Sequence, residues 1–340
     1  MIIRSKAPLR IGLAGGGTDV SPYSDIYGGA ILNATINLYA YASLEPRADK
    51  LIRFVIESTG SSIEIPLQNQ IECPAEFELF GGVFNEVVKR FNPPLSGFTL
   101  TSHIDVPQGS GLGTSSTIVV SLLGAFVEWF KLPLGNYDIA HMAYEIERVN
   151  LGLAGGKQDQ YAATFGGINF IEFLPQDRVI VNPLNVKPEV IQELEMCLLL
   201  YFTKTQRHSA HIIQTQVANL ESKDQNTLDA MHSLKQQAVQ MKEYLLRGNI
   251  DEIGLNLHRG WQSKKKTAGS ISNSYIDELY EAAIQAGATG GKISGAGGGG
   301  FMFFYCPGLT KNNVAKLLES YGGRVLPFNF TSQGLTTWTI

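Results

Sequence analysis

PQGSGLGTSS, residues 107–116, leads into a run from Ile118 to Trp129 that is apolar and compatible with a helix. Gly109, Gly111 and Gly113, with Ser110 among them, leave the backbone almost bare of side chains. Glycine reaches positive φ freely and permits close approach of the main chain. Thr114, Ser115 and Ser116 follow where a helix N-terminus would expose unpaired N–H groups and the positive end of its dipole. A loop of this kind opening onto a helix is a cradle for phosphate. A plain glycine turn with a capping serine needs one glycine and one hydroxyl. Three glycines stand here, with three hydroxyls at the helix start besides Ser110, which favours phosphate.

The surrounding chain narrows the class. Its 340 residues suit two domains better than one core. A hydrophobic share of 44% with 17% charged residues is that of a globular protein. The formal net charge of -4 speaks against a general nucleic-acid binder, though a local cationic pocket is compatible with it. Cys73, Cys197 and Cys306 are far apart and odd in number, so neither structural zinc nor a disulfide framework is expected. The N-terminus lacks the apolar core of a signal peptide, and no apolar run approaches the ~20 residues of a membrane span. A cytoplasmic protein without membrane association is expected, and a homodimer is left open.

Outward from the loop, the first segment reads as a short strand, a proline and a second strand ending in Gly15-Gly16-Gly17, ahead of Thr18 and Asp19. Arg4, Lys6 and Arg10 alternate with apolar residues and suit one strand face. Residues 30–46 read as a long strand, Phe77–Phe91 as a helix and Gly97–Ile104 as a strand feeding the glycine loop. After helices over Thr117–Phe130 and Tyr137–Asn150, Asp159 lies between the glycine pairs 155–156 and 166–167. Prolines 175, 183 and 188 mark the approach to a domain boundary, set at 188/189. Beyond it come a strand over Met196–Phe202, helices near 208–221, 225–247, 250–267 and 275–286, and a further glycine cluster at 295–300. Mixed elements without regular βα alternation indicate α+β in two domains, 1–188 and 189–340.

GAGGGG at 295–300 fits GxGxxG in form, but strand-like FMFFYC follows it where a dinucleotide site needs a helix. No GxxxxGK[ST] occurs, so Walker-type nucleotide binding is excluded. Three glycine-rich turns, at 15–17, 109–113 and 295–300, suggest backbone approaching one ligand from several sides.

The PQGSGLGTSS loop, preceded by KAPLR at 6–10 and followed by the late glycine cluster, resembles the three ordered motifs of the GHMP kinases, the superfamily of galactokinase, homoserine kinase and mevalonate kinase. Thr114 replaces the usual first serine, and GGGTD at 15–19 stands where galactokinase has GEHTD. AGGGTD at 14–19, TKTQRHSAHI at 203–212 and the run from Lys264 to Phe301 are more similar to the heptose kinases of that superfamily. The resemblance implies an N-terminal domain like the second domain of ribosomal protein S5 and a ferredoxin-like C-terminal domain. It also implies ATP- and Mg²⁺-dependent phosphorylation of the anomeric hydroxyl of D-glycero-D-manno-heptose 7-phosphate. A fucose- or galactose-type sugar 1-kinase and a non-catalytic regulator of the same fold are the rival readings.

Residue roles follow from the same resemblance. The amides of Gly109, Ser110, Gly111, Leu112, Gly113, Thr114, Ser115 and Ser116 would wrap the nucleotide phosphates. Mg²⁺, which often takes only one or two protein oxygens, would use Ser115 and Glu147, with Glu145 the competing acid. Asp159 resembles the catalytic aspartate, a general base for the sugar hydroxyl, and Arg10 would neutralise charge developing on the transferring group. Outside that context Asp159 would read as a capping aspartate. Thr18, Asp19, Lys6 and Gly297 are placed with the sugar. Arg207 is the preferred cation for its phosphate, because arginine grips phosphate bidentately; His208, Lys6 and Lys264–Lys266 are the other candidates, the lysine triplet weighed against a solvated helix face.

Overall fold

The computed structural model describes residues 1–107, 109–205, 209–222 and 224–340. The proline at position 8 does not divide the first strand. A single strand β1 runs over Ile3–Ala14, and its pairing with β2 (Gly29–Arg47) shifts register between Pro8 and Arg10. Proline donates no ladder hydrogen bond, and the irregularity accommodates it without ending the strand.

β2 is the axis of the first sheet. It pairs with β1, with β5 (Gly97–Ile104) and, at its start, with β6 (Ile168–Leu174). β3 (Leu51–Ile56) lies parallel to β5 and carries β4 (Ser61–Pro66) outside it, while β7 (Arg178–Pro183) pairs with β6. The second sheet is antiparallel, in the order β11 (Arg324–Leu326), β8 (Leu198–Phe202), β10 (Phe301–Tyr305), β9 (Gly290–Ile293). The last strand, β12 (Thr336–Thr339), returns to the first sheet and pairs with β1. A cut at 188/189 therefore separates most of the two sheets but leaves the chain's end with the first one. Ala238, Met241 and Leu245, from the helix Gln225–Arg247, also join the core of that sheet.

The helix after the glycine loop starts at Thr114, three residues before the start expected at Thr117, and continues to Phe130. It is buried along most of its length, and Phe126 meets Phe98 of β5 edge to face at 5.5 Å. An aromatic pair of this kind adds ~0.5–1.5 kcal/mol beyond its area burial. Packing thus fixes the helix axis, and with it the direction in which its N-terminal N–H groups point.

Two stretches that read as loops are ordered. Pro188–Cys197 is a helix with proline in its first turn, where the missing N–H costs nothing. Gln158–Phe165 is also a helix, and it places Asp159 in its first turn. The predicted helix over Tyr137–Asn150 is α-helical only to Tyr144; Glu145–Asn150 continues as a wider π-type turn. Among the described residues no helix is long and apolar enough to cross a membrane.

Candidate active site

Gly109, Gly111 and Gly113 have φ of 73°, 91° and 81°, all in the left-handed region. Alternating left-handed residues turn successive N–H groups toward one concavity, which is how backbone nests hold anions. Gly113 caps the helix from Thr114, and its carbonyl accepts from the Thr117 amide at 2.9 Å. The Leu112 carbonyl accepts from the Arg10 amide at 3.2 Å, and the Ser110 carbonyl from the Phe301 amide at 2.8 Å. Each sheet therefore holds the loop by a backbone hydrogen bond. The side chains of Ser110 and Leu112 are buried in the protein, while Gly109, Gly111, Gly113, Thr114, Ser115 and Ser116 line a cavity of about 290 Å³.

The third glycine turn is pressed onto this loop. Gly300 has φ +83°, and a Cβ there would overlap the Ser110 carbonyl. Gly295 and Ala296 reach the cavity; Gly297, placed with the sugar by its motif, packs against Ile271 instead.

At the rim beside the helix N-terminus, the Ser115 hydroxyl donates to Glu147 Oε1 at 2.7 Å, and Gln160 Nε2 donates to Glu147 Oε2 at 2.6 Å. Glu147 is fully buried. Glu145, two positions earlier, points outward and pairs with Arg90 at 2.6 Å. The π-type turn carries both acids and a register unlike that of an α-helix, and such turns recur at functional sites. Arg148 completes this corner: it donates to the Ser116 hydroxyl at 3.2 Å and to the Gly156 carbonyl at 3.3 Å. Arg148 was not singled out from the sequence, where it reads as one more helix-surface cation.

Asp159 faces the loop from the opposite wall. Arg10 Nε donates to its Oδ1 at 2.6 Å, and Arg10 Nη1 donates to the Gly111 carbonyl at 2.8 Å. A Cβ on Gly113 would lie 3.2 Å from Asp159 Oδ2, so the carboxylate rests against the last glycine of the loop. Arg10 is 4% exposed and Asp159 20%, which leaves the acid open to the cavity.

Asp19 lies further in, buried, and accepts from the amides of Gln158 at 3.1 Å and Gly17 at 3.2 Å. Burial raises its carboxyl above the usual range, and the nearby Asp159 adds to the rise, against the opposing pull of those amides. Thr18 does not share this setting. Its hydroxyl donates to the Gly15 carbonyl at 2.9 Å and accepts from the Ala30 amide at 3.1 Å, so it holds the turn together and is spent there.

Lys6 is also elsewhere. It stands four residues before Arg10 on the same strand, with its ammonium 4.8 Å from the Tyr39 ring centroid and outside the cavity lining. Four residues of extended strand, at about 3.3 Å each, separate the two cations that alternation puts on one face. Arg207 and His208 lie outside the described residues. Of Lys264–Lys266, Lys264 turns into the cavity and donates to the Gly16 carbonyl at 3.1 Å, while Lys265 pairs with Asp277. Lys292 of β9, not proposed from the sequence, is a further cavity cation.

A divalent cation fits the Ser115–Glu147 corner by its donor set, one hydroxyl and one buried carboxylate, since such an ion often takes only one or two oxygens from the protein. Among the described residues no group of three or more His, Cys, Asp or Glu side chains is placed to hold a metal ion.

Two family models match the chain: the N-terminal domain of the GHMP kinases over residues 78–167 and their C-terminal domain over residues 241–322. The chain is 46% identical to a D-glycero-alpha-D-manno-heptose 7-phosphate kinase of Campylobacter jejuni, across 99% of each chain. A crystal structure of a D-glycero-D-manno-heptose 1-phosphate kinase from Bacteriodes thetaiotaomicron superposes with TM-score 0.85 at 44% identity, covering 99% of both chains. A mevalonate kinase crystal structure shares the fold at 19% identity, with TM-score 0.76 over 98% of this chain and all of the other.

Proposed function

The protein belongs to the GHMP kinases and is a sugar kinase, and we propose that it transfers the γ-phosphate of ATP to the C1 hydroxyl of D-glycero-D-manno-heptose 7-phosphate. The names of the two similar proteins differ on whether the accepted sugar carries its phosphate at C7 or C1. We take the acceptor to be the 7-phosphate, which leaves C1 to react.

One observation carries it: the Asp159 carboxylate sits between the phosphate loop and the sugar side of the cavity, held by Arg10 and in contact range of Gly113. The sugar hydroxyl oxygen attacks the γ-phosphorus while its proton passes to Asp159, and the bond from that phosphorus to the β-γ bridging oxygen breaks, releasing ADP. The amides of 109–116 hold the β- and γ-phosphates at the positive end of the helix. Arg10 and Arg148 place positive charge beside the transferring group, where it develops negative charge. Ser115 and Glu147 would hold Mg²⁺, which neutralises phosphate charge when bound. Asp19, with its raised carboxyl, orients sugar hydroxyls as acceptor or donor.

The test is ADP release over a panel of heptose 7-phosphate, heptose 1-phosphate, unphosphorylated heptose, fucose and galactose, with the product located by phosphorus NMR. The expected product carries its new phosphate on C1. A new phosphate on C7, or a preference for an unphosphorylated sugar, would overturn the reading.

A further inference from the structure

We infer that Lys264 and Lys292 form the seat for the phosphate that the acceptor sugar already carries; this rests on the heptose 7-phosphate reading and supplies its specificity. Lys292 lies on β9, with its side chain inside the cavity and 6% exposed. Its ammonium is 3.7 Å from where a Cβ on Gly16 would stand, and Lys264 donates to the carbonyl of that same Gly16. Both cations therefore flank the 15–17 turn that carries Asp19, on the sugar side of the cavity. Ser294, two residues after Lys292 and so on the same side of the backbone, meets Arg10 Nη1 at 3.3 Å. Arg10 thus stands between the lysines and the 109–116 loop, with its other contacts on Asp159 and Gly111.

The charge balance calls for an anion at this place. Arg10 is matched by Asp159, but no ion pair within 4 Å joins Lys292 to a carboxylate among the described residues. The charged groups acting on it are Lys264, from the helix Asp251–Lys265, and Arg10, from β1, both cations. Burial and those two neighbours push the Lys292 ammonium down to about 7. A buried, uncompensated cation is costly. Sugar hydroxyls cannot offset it, whereas a phosphate dianion between the two lysines does. The turn is shaped to bring the anion close: Gly17 has φ +104°, and a Cβ there would crowd the Lys264 ammonium at 2.8 Å.

Lys292→Gln and Lys264→Gln in the full chain test this, with Lys292→Arg as the conservative control. Each Gln variant is expected to lower the ratio of kcat/KM for heptose 7-phosphate to that for unphosphorylated heptose by about 10- to 100-fold, the loss of one hydrogen bond to a charged group. Lys292→Arg is expected to restore most of the ratio. Calorimetry of wild type with heptose 7-phosphate at pH 8, in two buffers of different ionisation enthalpy, is expected to show proton uptake that Lys292→Gln abolishes, because the bound dianion returns the proton the free lysine has lost. A rise in the KM for ATP with the ratio intact would assign the lysines to the nucleotide and overturn the inference; so would a ratio equal to wild type in both Gln variants. Wild-type preference for an unphosphorylated sugar would instead refute the substrate reading on which it rests, which the variants do not address.

Discussion

Replacing Asp159 with asparagine separates chemistry from architecture at this site. The substitution keeps the side-chain shape and an acceptor oxygen for Arg10 Nε, now 2.6 Å from Oδ1. It removes the basic oxygen that rests near Gly113 and faces the cavity. Losing a general base lowers turnover by about 10²–10⁴-fold, or about 3–5 kcal/mol of barrier. The stability cost is smaller. Arg10 keeps the Gly111 carbonyl at 2.8 Å, and its bond to residue 159 changes from a charged to a neutral acceptor. That exchange costs about 1 kcal/mol, the gap between typical hydrogen bonds to charged and to neutral groups. In a protein of this size it moves Tm by no more than about 4 °C. The assay is single-turnover phosphate transfer beside nucleotide binding by calorimetry and thermal unfolding. The expected pattern is a collapsed rate, ATP affinity within about threefold of wild type and a small fall in Tm. A rate within threefold of wild type would remove Asp159 from the mechanism, and a lost rate with equally lost ATP binding would make it a binding residue.

Glu147→Gln is expected to cut activity at least about 10-fold and to raise the Mg²⁺ needed for half-maximal rate, whereas Glu145→Gln breaks only a partly exposed pair with Arg90 and should leave the rate within about twofold. A Mg²⁺ titration of both variants checks this, and a larger effect at Glu145 would reverse the assignment. Gly300→Ala is expected to raise the KM for ATP and lower Tm, because a left-handed φ of +83° costs ~1–2 kcal/mol with a side chain and the new Cβ must displace the Ser110 carbonyl. Gly60→Ala, at φ +73° with open space around it, should show the stability loss alone; a KM shift at Gly60, or none at Gly300, would refute the coupling between the glycine turns.

Much of the site was legible because its chemistry is local. Glycines at alternate positions before a hydroxyl cluster specify positive φ and a helix N-terminus through neighbouring peptide units, and 109–116 folds accordingly. Arg10, Asp19, Glu147 and Asp159 stood out because a few neighbours marked them, and the fold gathers them at one cavity and its Ser115–Glu147 corner. Lys6 and Thr18 carried the same kind of local mark yet went elsewhere. Lys6, four residues along the strand from Arg10, lies against Tyr39, and turn closure consumed the Thr18 hydroxyl. Helices at 158–165 and 188–197 were missed because glycine and proline mask short helical patterns whose support is tertiary packing.

By itself the sequence determined the left-handed glycine loop at a helix N-terminus, the class of fold and which acids and cations were chemically able to act, since these depend on residue type and near-neighbour spacing. Tertiary structure alone decided which cations count. Arg148, Lys264 and Lys292 are ordinary surface-type residues in the chain, and only tertiary packing sets all three in the lining of one cavity, with Lys264 and Lys292 buried there. It likewise sent the last strand back to β1, because an open strand edge gains its hydrogen bonds wherever in the chain the partner comes from.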